Sequence, residues 1–256
     1  MPAGLVSVVF PAFNEEDAIV DALAQVTTYL EGREQPFEIV VADDGSTDRT
    51  RAEVEQRSAA DPRIKLVSSG VNRGKGHAVR RGVLATKGDV VLFLDVDMST
   101  PIEMMERVWP ELDTGQQVVV GTRRSAGAEI EVHQPVIREA LGDIFRRATR
   151  RLLDIPVSDI TCGFKAFDGA IARRLFAVMR LDDWSFDVEL LVAASQAGLR
   201  ITEVPVVWRH DPGSKVRLLR DIPLAALGVT RVLGGKIRGR WRGLGAAPAD
   251  ATARGR

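Results

Sequence analysis

The sequence predicts an α/β protein built on a mostly parallel, doubly wound sheet, and three observations carry the prediction. Short apolar runs recur through the N-terminal half, segments with helical spacing separate them, and polar residues collect where each run ends. Apolar runs of this length bounded by turn formers read as buried strands, and their alternation with helices requires parallel strands covered on both faces.

The first strand is Leu5 to Phe10, closed by Pro11 and Asn14 and followed by helical spacing from Asp17 to Leu30. The second, Phe37 to Ala42, runs into Asp43-Asp44-Gly45-Ser46, where Ser46 or Thr47 can cap a helix from Asp48 to Ala60. Ile64 to Ser68 is the third, and Asn72-Arg73-Gly74-Lys75-Gly76 opens the helix Gly76 to Ala85. The fourth, Asp89 to Leu94, ends on Asp95-Val96-Asp97 and precedes a helix over Ile102 to Leu112; the fifth, Gln117 to Val120, runs up to Arg123 and Arg124. Residues 1–124 therefore read as the doubly wound unit, with ligands expected at the carboxyl ends of its strands. Residues 125–136 show no period and read as a flexible loop. Ile137 to Leu153 resumes as a helix with Leu141, Ile144, Phe145 and Leu152 on one face and Arg146, Arg147, Arg150 and Arg151 around it. A helix over Asp187 to Ala197 and a strand over Arg200 to Trp208 complete a catalytic unit of residues 1–212; a basic amphipathic segment, 213–244, and a disordered tail, 245–256, follow.

With 45% hydrophobic and 27% charged residues in 256, the chain has the composition of a folded core, which excludes disordered and collagen-like classes. A single cysteine, Cys162, cannot form an internal disulfide, so a cytoplasmic, reducing setting is expected. The charge-free stretch Ile222 to Thr230 is nine residues, well below a membrane span, so none is expected. Net charge is zero, yet residues 206–242 hold nine Lys/Arg against two Asp/Glu. That basic patch suits an anionic lipid or phosphate better than nucleic acid, which calls for a positive field over the whole protein.

Asp95 and Asp97, two residues apart after an apolar strand, are placed by a strand's alternation on the same side. Two carboxylates completed by phosphate oxygens suit an octahedral Mg²⁺ or Mn²⁺; a solvated turn is the ordinary alternative. The loop around Lys75 offers backbone N–H groups and a point charge to a phosphate, without Walker A spacing or a dinucleotide fingerprint.

FPAFNEE, VVADDGSTDRT, NRGKGHAVRRG, FLDVDMST and VVVGTRR, in this order, resemble the family-two inverting glycosyltransferases with a GT-A fold. DITCGFKAFD, DWSFDVELL and VVWRHDPGSKV are most similar to the dolichyl-phosphate β-glucosyltransferase branch. The resemblance implies that Pro11, Ala12, Asn14, Glu15, Asp43, Asp44, Lys75, Asp95 and Val96 line a nucleotide sugar, with Asp44 at the base, and that Asp95 and Asp97 hold the metal. Arg123, Arg138, Arg209 and Lys215 would grip the donor diphosphate or the acceptor phosphate. UDP-glucose is the implied donor, with GDP-mannose the alternative, and a polyprenyl phosphate the acceptor. An ionised phosphate needs no general base, whereas a soluble hydroxyl acceptor does, and Asp159, Asp187 and Glu189 are the carboxylates that could serve it. A nucleotide-sugar-binding scaffold without turnover is the reading outside enzymes. The lipid acceptor gives Ile137 to Leu153 and Val216 to Trp241 a role on the inner, cytoplasmic face of a membrane, with Trp241 at its surface and a membrane protein or a second copy as further partners.

Overall fold

The computed structural model describes residues 4–132, 136–209 and 218–244, the side chains of 136–138 and 218–222 excepted. Among the described residues nine strands form: β1 (Val6–Ala12), β2 (Phe37–Asp43), β3 (Ile64–Ser68), β4 (Val90–Leu94), β5 (Val118–Thr122), β6 (Glu129–Val132), β7 (Phe164–Asp168), β8 (Ile201–Pro205) and β9 (Val207–Arg209). The helices are α1 (Ile19–Gly32), α2 (Thr50–Ala60), α3 (Lys75–Leu84), α4 (Met105–Asp113, after a 3-10 turn at Ile102–Met104), α5 (Val136–Leu153), α6 (Gly169–Val178), α7 (Phe186–Gln196) and α8 (Leu218–Ile237).

Seven strands make one sheet in the order β3-β2-β1-β4-β7-β5-β8, parallel except for β7, which runs antiparallel to both β4 and β5. This is the mostly parallel, Rossmann-like sheet of the GT-A fold. Alternation along the strands divides the core into two layers: Val8 and Phe10 of β1 face one, and Val9 faces the other with Phe93 of β4. In α1 the buried residues Ile19, Ala22, Leu23, Val26 and Leu30 fall at helical spacing, which is why this segment covers the sheet. Strand order reverses between β1 and β4, so the loops after these strands flank the crevice where such sheets bind ligands.

Four sequence expectations are corrected. The stretch read as a flexible loop, 125–136, contains β6, which pairs with β9 in a small ribbon. The strand expected over Arg200 to Trp208 breaks at Val206: its N–H bonds to Thr122 O (3.1 Å) on the main sheet while its carbonyl accepts Glu129 N–H (3.2 Å) of the ribbon. The unit expected to end at residue 124 draws two further strands, β7 and β8, into its sheet. Trp241, expected at a membrane surface, is 1% exposed, because Gly235 leaves room for its ring: a Cβ there would lie 2.5 Å from the indole. No helix among the described residues is long and apolar enough to cross a membrane.

Candidate active site

β4 ends at Leu94, and Asp95-Val96-Asp97 forms a turn closed by Met98 N–H on Asp95 O at 3.1 Å, with Met98 at φ 48°. The two carboxylates are thus brought together by a turn and not by strand alternation, which corrects the geometric argument from sequence. Asp97 Oδ1 accepts Ser99 N–H at 2.9 Å. Although this side chain reaches solvent, crowding in the cleft and the neighbouring Asp95 charge push its pKa up. Lys75 Nζ lies 2.6 Å from Asp95 Oδ1, as an ion pair whose angles do not make a hydrogen bond. Burial opposes the ammonium, but Asp95 and Asp187 outweigh it and hold the Lys75 pKa above the usual lysine range. Gly163 packs against the other side of the acidic turn, where a Cβ would sit 2.0 Å from Asp95 Oδ2.

The Lys75 loop is held in place by the acidic pair that ends β2. Asp44 Oδ2 accepts the backbone N–H groups of Arg73 (2.9 Å) and Gly74 (2.6 Å), and its other oxygen meets His77 Nδ1 at 3.4 Å. Asp43 accepts Ser46 N–H (2.9 Å) and Ser68 O–H (2.7 Å). Burial raises the Asp43 pKa, but these bonds outweigh it and hold it below the usual carboxylate range. Gly45, at φ 78°, lies so close to Val71 that a Cβ would come within 2.5 Å of its carbonyl carbon. The β1–α1 and β2–α2 loops interlock in the same way: Asn14 N–H donates to Ser46 Oγ (2.9 Å), Thr47 N–H to Asn14 Oδ1 (2.8 Å) and Glu15 N–H to Thr50 Oγ1 (2.7 Å). Pro11 and Ala12 end β1 beside them.

Behind Asp95 lies a second layer of buried charge. Lys165 is 0% exposed and donates to Asp187 Oδ1 (2.7 Å) and Cys162 O (2.6 Å), with its ammonium 5.3 Å from the centre of the Phe93 ring. Burial pushes the Asp187 pKa up, opposed by Lys165 and Lys75. Arg123 grips Asp159 with two guanidinium bonds, Nε to Oδ2 (2.6 Å) and Nη2 to Oδ1 (2.8 Å). Burial alone would raise the Asp159 pKa, yet the Arg123 charge and hydrogen bonds lower it to about 2. Arg123 also lies over the Trp208 ring at 5.0 Å. Around it opens a cleft lined by Arg124 and Arg146, both paired with Asp143 (2.8 and 3.0 Å), by Glu139 and by the apolar faces of Ile130, Phe145, Ile160 and Trp208, so that ion-paired guanidinium groups stand beside an apolar wall.

The structure therefore gathers Lys75, Asp95, Asp97 and Asp187 in one charged cluster, with the Arg123–Asp159 pair and the cleft next to it. Glu189, proposed from sequence as a base, faces elsewhere: its Oε2 accepts Arg180 and Leu181 N–H (2.9 and 2.8 Å). Arg209 sits on the β6–β9 ribbon, paired with Glu131. Lys215 and the Arg138 side chain lie outside the described residues. Sequence reasoning missed Lys165 and Gly163; the visible signal was a lysine and a glycine inside the otherwise apolar CGFKAF. Buried Cys162, its thiol pushed up to about 11 by burial, is no nucleophile.

The acidic turn fits a divalent cation. Asp95 Oδ1 meets only the Lys75 ammonium, the missing side chain at Gly163 lets the other oxygen lie against the backbone, and the solvent-reaching Asp97 adds a second carboxylate. Among the described residues no group of three or more His, Cys, Asp or Glu gathers as a metal cage. Two carboxylates suit Mg²⁺ or Mn²⁺, which complete their shells with water and phosphate oxygens.

Comparison with known proteins matches residues 7–176 to glycosyl transferase family 2. A dolichyl-phosphate beta-glucosyltransferase of Trichomonas vaginalis is 32% identical over 233 residues, covering 86% of this chain and 70% of its own length. The Homo sapiens dolichyl-phosphate beta-glucosyltransferase is 30% identical over 229 residues, covering 84% and 70%. Among solved structures, glucosyl-3-phosphoglycerate synthase from Mycobacterium tuberculosis in complex with phosphoglyceric acid gives a TM-score of 0.63 at 26% identity, covering 91% of this chain and 81% of that one. Its complex with Mn²⁺, UDP-glucose and phosphoglyceric acid gives 0.66 at 24% identity, covering 91% and 80%.

Proposed function

The chain belongs to glycosyl transferase family 2, and from that membership we propose that it transfers glucose from UDP-glucose, with inversion, to a phosphate-bearing acceptor, foremost a polyprenyl phosphate. The observation that carries this reading is the acidic turn Asp95/Asp97 standing next to an arginine-lined cleft with an apolar wall. The dolichyl-phosphate beta-glucosyltransferases that resemble the chain support the transferred glucose and the lipid phosphate acceptor.

Asp95 and Asp97 would hold Mg²⁺ or Mn²⁺, which supplies Lewis-acid neutralisation of the donor diphosphate when bound. Lys75 and Arg123 carry fixed positive charge beside the same turn, placed to stabilise the leaving diphosphate as its charge develops. Pro11, Ala12, Asn14 and Glu15 supply the nucleotide side, with Asp43 and Asp44 holding the Lys75 loop. Asp159 is gripped by Arg123 and Asp187 by Lys165, so both carboxylates are committed to cations. An acceptor phosphate, with its second pKa near ~6, arrives already ionised and needs neither of them as a base. Arg124 and Arg146 would exchange their partner Asp143 for that phosphate while Ile130, Phe145 and Trp208 meet the hydrocarbon behind it. Attack on the face opposite the leaving group turns an α-linked donor into a β-linked product.

A second reading, a soluble phosphorylated hydroxyl acceptor, is favoured by the likeness to glucosyl-3-phosphoglycerate synthase bound to phosphoglyceric acid. That reaction would require Asp187 to be released from Lys165 to take a proton. The test is a parallel assay with Mn²⁺, UDP-glucose or GDP-mannose, and either detergent-dispersed polyprenyl phosphate or 3-phosphoglycerate. Glucose on the lipid supports the main reading, glucose on 3-phosphoglycerate alone replaces it with the second, and transfer from GDP-mannose alone overturns the donor.

A further inference from the structure

The tryptophans of this chain do not share one environment: Trp109 and Trp241 are buried (3% and 1% exposed), whereas Trp184, in the segment between α6 and α7, is 41% exposed. The backbone around Trp184 is nevertheless held by its neighbours. Asp182 pairs with Arg80 of α3 (3.1 Å), and its carbonyl accepts His77 N–H (3.2 Å) of the same helix. Asp183 Oδ1 accepts Ser185 N–H at 2.7 Å. Gly74 before α3 and Gly228 on α8 lack the side chains that would collide with Asp182 O and Ser185 Oγ, so both elements close tightly on the turn. A backbone fixed on either side of an aromatic ring that is left uncovered is a preorganised surface and not a loose end of chain.

The place of the ring indicates its ligand. Lys75 Nζ lies 5.0 Å from the centre of the Trp184 ring and 2.6 Å from Asp95 Oδ1, so one ammonium bridges the tryptophan and the acidic turn. From Trp184 the chain runs into α7, whose Asp187 belongs to the same charged cluster and whose Val188 lines the arginine-bearing cleft. A sugar passing from a diphosphate at the acidic turn to an acceptor in the cleft has to lie between the two, beside this ring. The electron-rich face of an indole attracts partial positive charge, which a pyranose with equatorial hydroxyls presents on its axial C–H bonds. We propose that Trp184 is the stacking platform for the hexose of the donor, a specificity-determining contact; the inference rests on the nucleotide-sugar donor proposed above.

The test is calorimetric binding of UDP and of UDP-glucose, with Mn²⁺ present, to the full native chain, to Trp184→Ala and to Trp184→Phe. A ring that only covered Lys75 would be missed by the diphosphate common to both ligands, whereas a sugar platform is missed by the hexose alone. The expected result is a loss of UDP-glucose affinity of roughly tenfold in Trp184→Ala, with UDP affinity kept within about twofold and Trp184→Phe recovering most of the loss. Retained UDP binding shows at the same time that the variant is folded. In the native chain UDP-glucose should also change the part of the tryptophan fluorescence that Trp184→Phe lacks, and UDP should not. Equal losses for both ligands, or no loss for either, overturn the platform and leave the donor reading in place. A native chain that binds neither ligand overturns the donor reading and the platform with it.

Discussion

Lys165 is fully buried on a strand flanked on both sides, and what makes that tolerable is its pairing with Asp187. Removing one member of a buried pair leaves the other charge uncompensated, so Lys165→Met should destabilise the fold by about 3–5 kcal/mol in urea unfolding. Lys165→Met/Asp187→Leu should recover most of that loss. Asp159 makes a prediction about pH. Its pKa is lowered from 3.8 to about 2 by Arg123, so the pair's stabilisation is complete above the unfolded-state value and disappears as pH falls through about 2. It contributes roughly 2 kcal/mol at neutral pH. The stability difference between the native chain and Asp159→Asn should therefore shrink between pH 4 and pH 2. Gly163→Ala would press a methyl group into the Asp95 carboxylate, and Mn²⁺ affinity should fall on the order of 10- to 100-fold while circular dichroism stays native. At this scale Asp95, Asp97 and Lys75 were legible in the sequence because motif spacing exposes them. Lys165 was not, because a lone lysine between apolar residues looks the same whether it faces solvent or a buried aspartate.

At the scale of elements, helix α5 turns part of its apolar face outward: Leu141 is 41%, Ile144 66% and Leu152 53% exposed, while Thr149 and Leu153 are buried. Exposed arginines 147 and 151 flank this stripe. Such a surface suits an anionic membrane, which would present the lipid phosphate acceptor we propose. Ile144→Glu should weaken co-sedimentation with anionic vesicles roughly tenfold, since one buried isoleucine is worth about 1.5–3 kcal/mol, and should leave thermal stability unchanged. β1 to β5 could be read from the sequence because each is a nearly unbroken apolar run between turn formers. β6 is the polar EIEV, and β7 carries Lys165 inside a run of five, so neither shows the pattern of a central strand. Trp241 was misread for a related reason: the arginines on either side mark a surface, and only the tertiary placement of Gly235 makes room for its ring.

For the whole molecule, the sheet brings residues far apart in sequence to one edge: Asp44 after β2, Lys75 at the start of α3, Asp95 and Asp97 after β4, and Arg123 after β5. The antiparallel β7 then inserts Gly163 and Lys165 beneath that edge. The parallel frame and its polar edge were legible from alternating runs, whereas the insertion of β7 between β4 and β5 is a long-range pairing that no local pattern encodes. In the reaction we propose, Asp95 and Asp97 would hold the donor diphosphate through a divalent ion while an acceptor phosphate oxygen displaces that diphosphate from the anomeric carbon. The most direct measurement is the anomeric configuration, by NMR, of the product formed from UDP-[¹³C]glucose, polyprenyl phosphate and Mn²⁺. A β-linked glucosyl phosphate made by the native chain, and reduced at least on the order of 100-fold in Asp97→Ala, is the predicted result. An α-linked product, free glucose alone, or undiminished turnover in Asp97→Ala would contradict it.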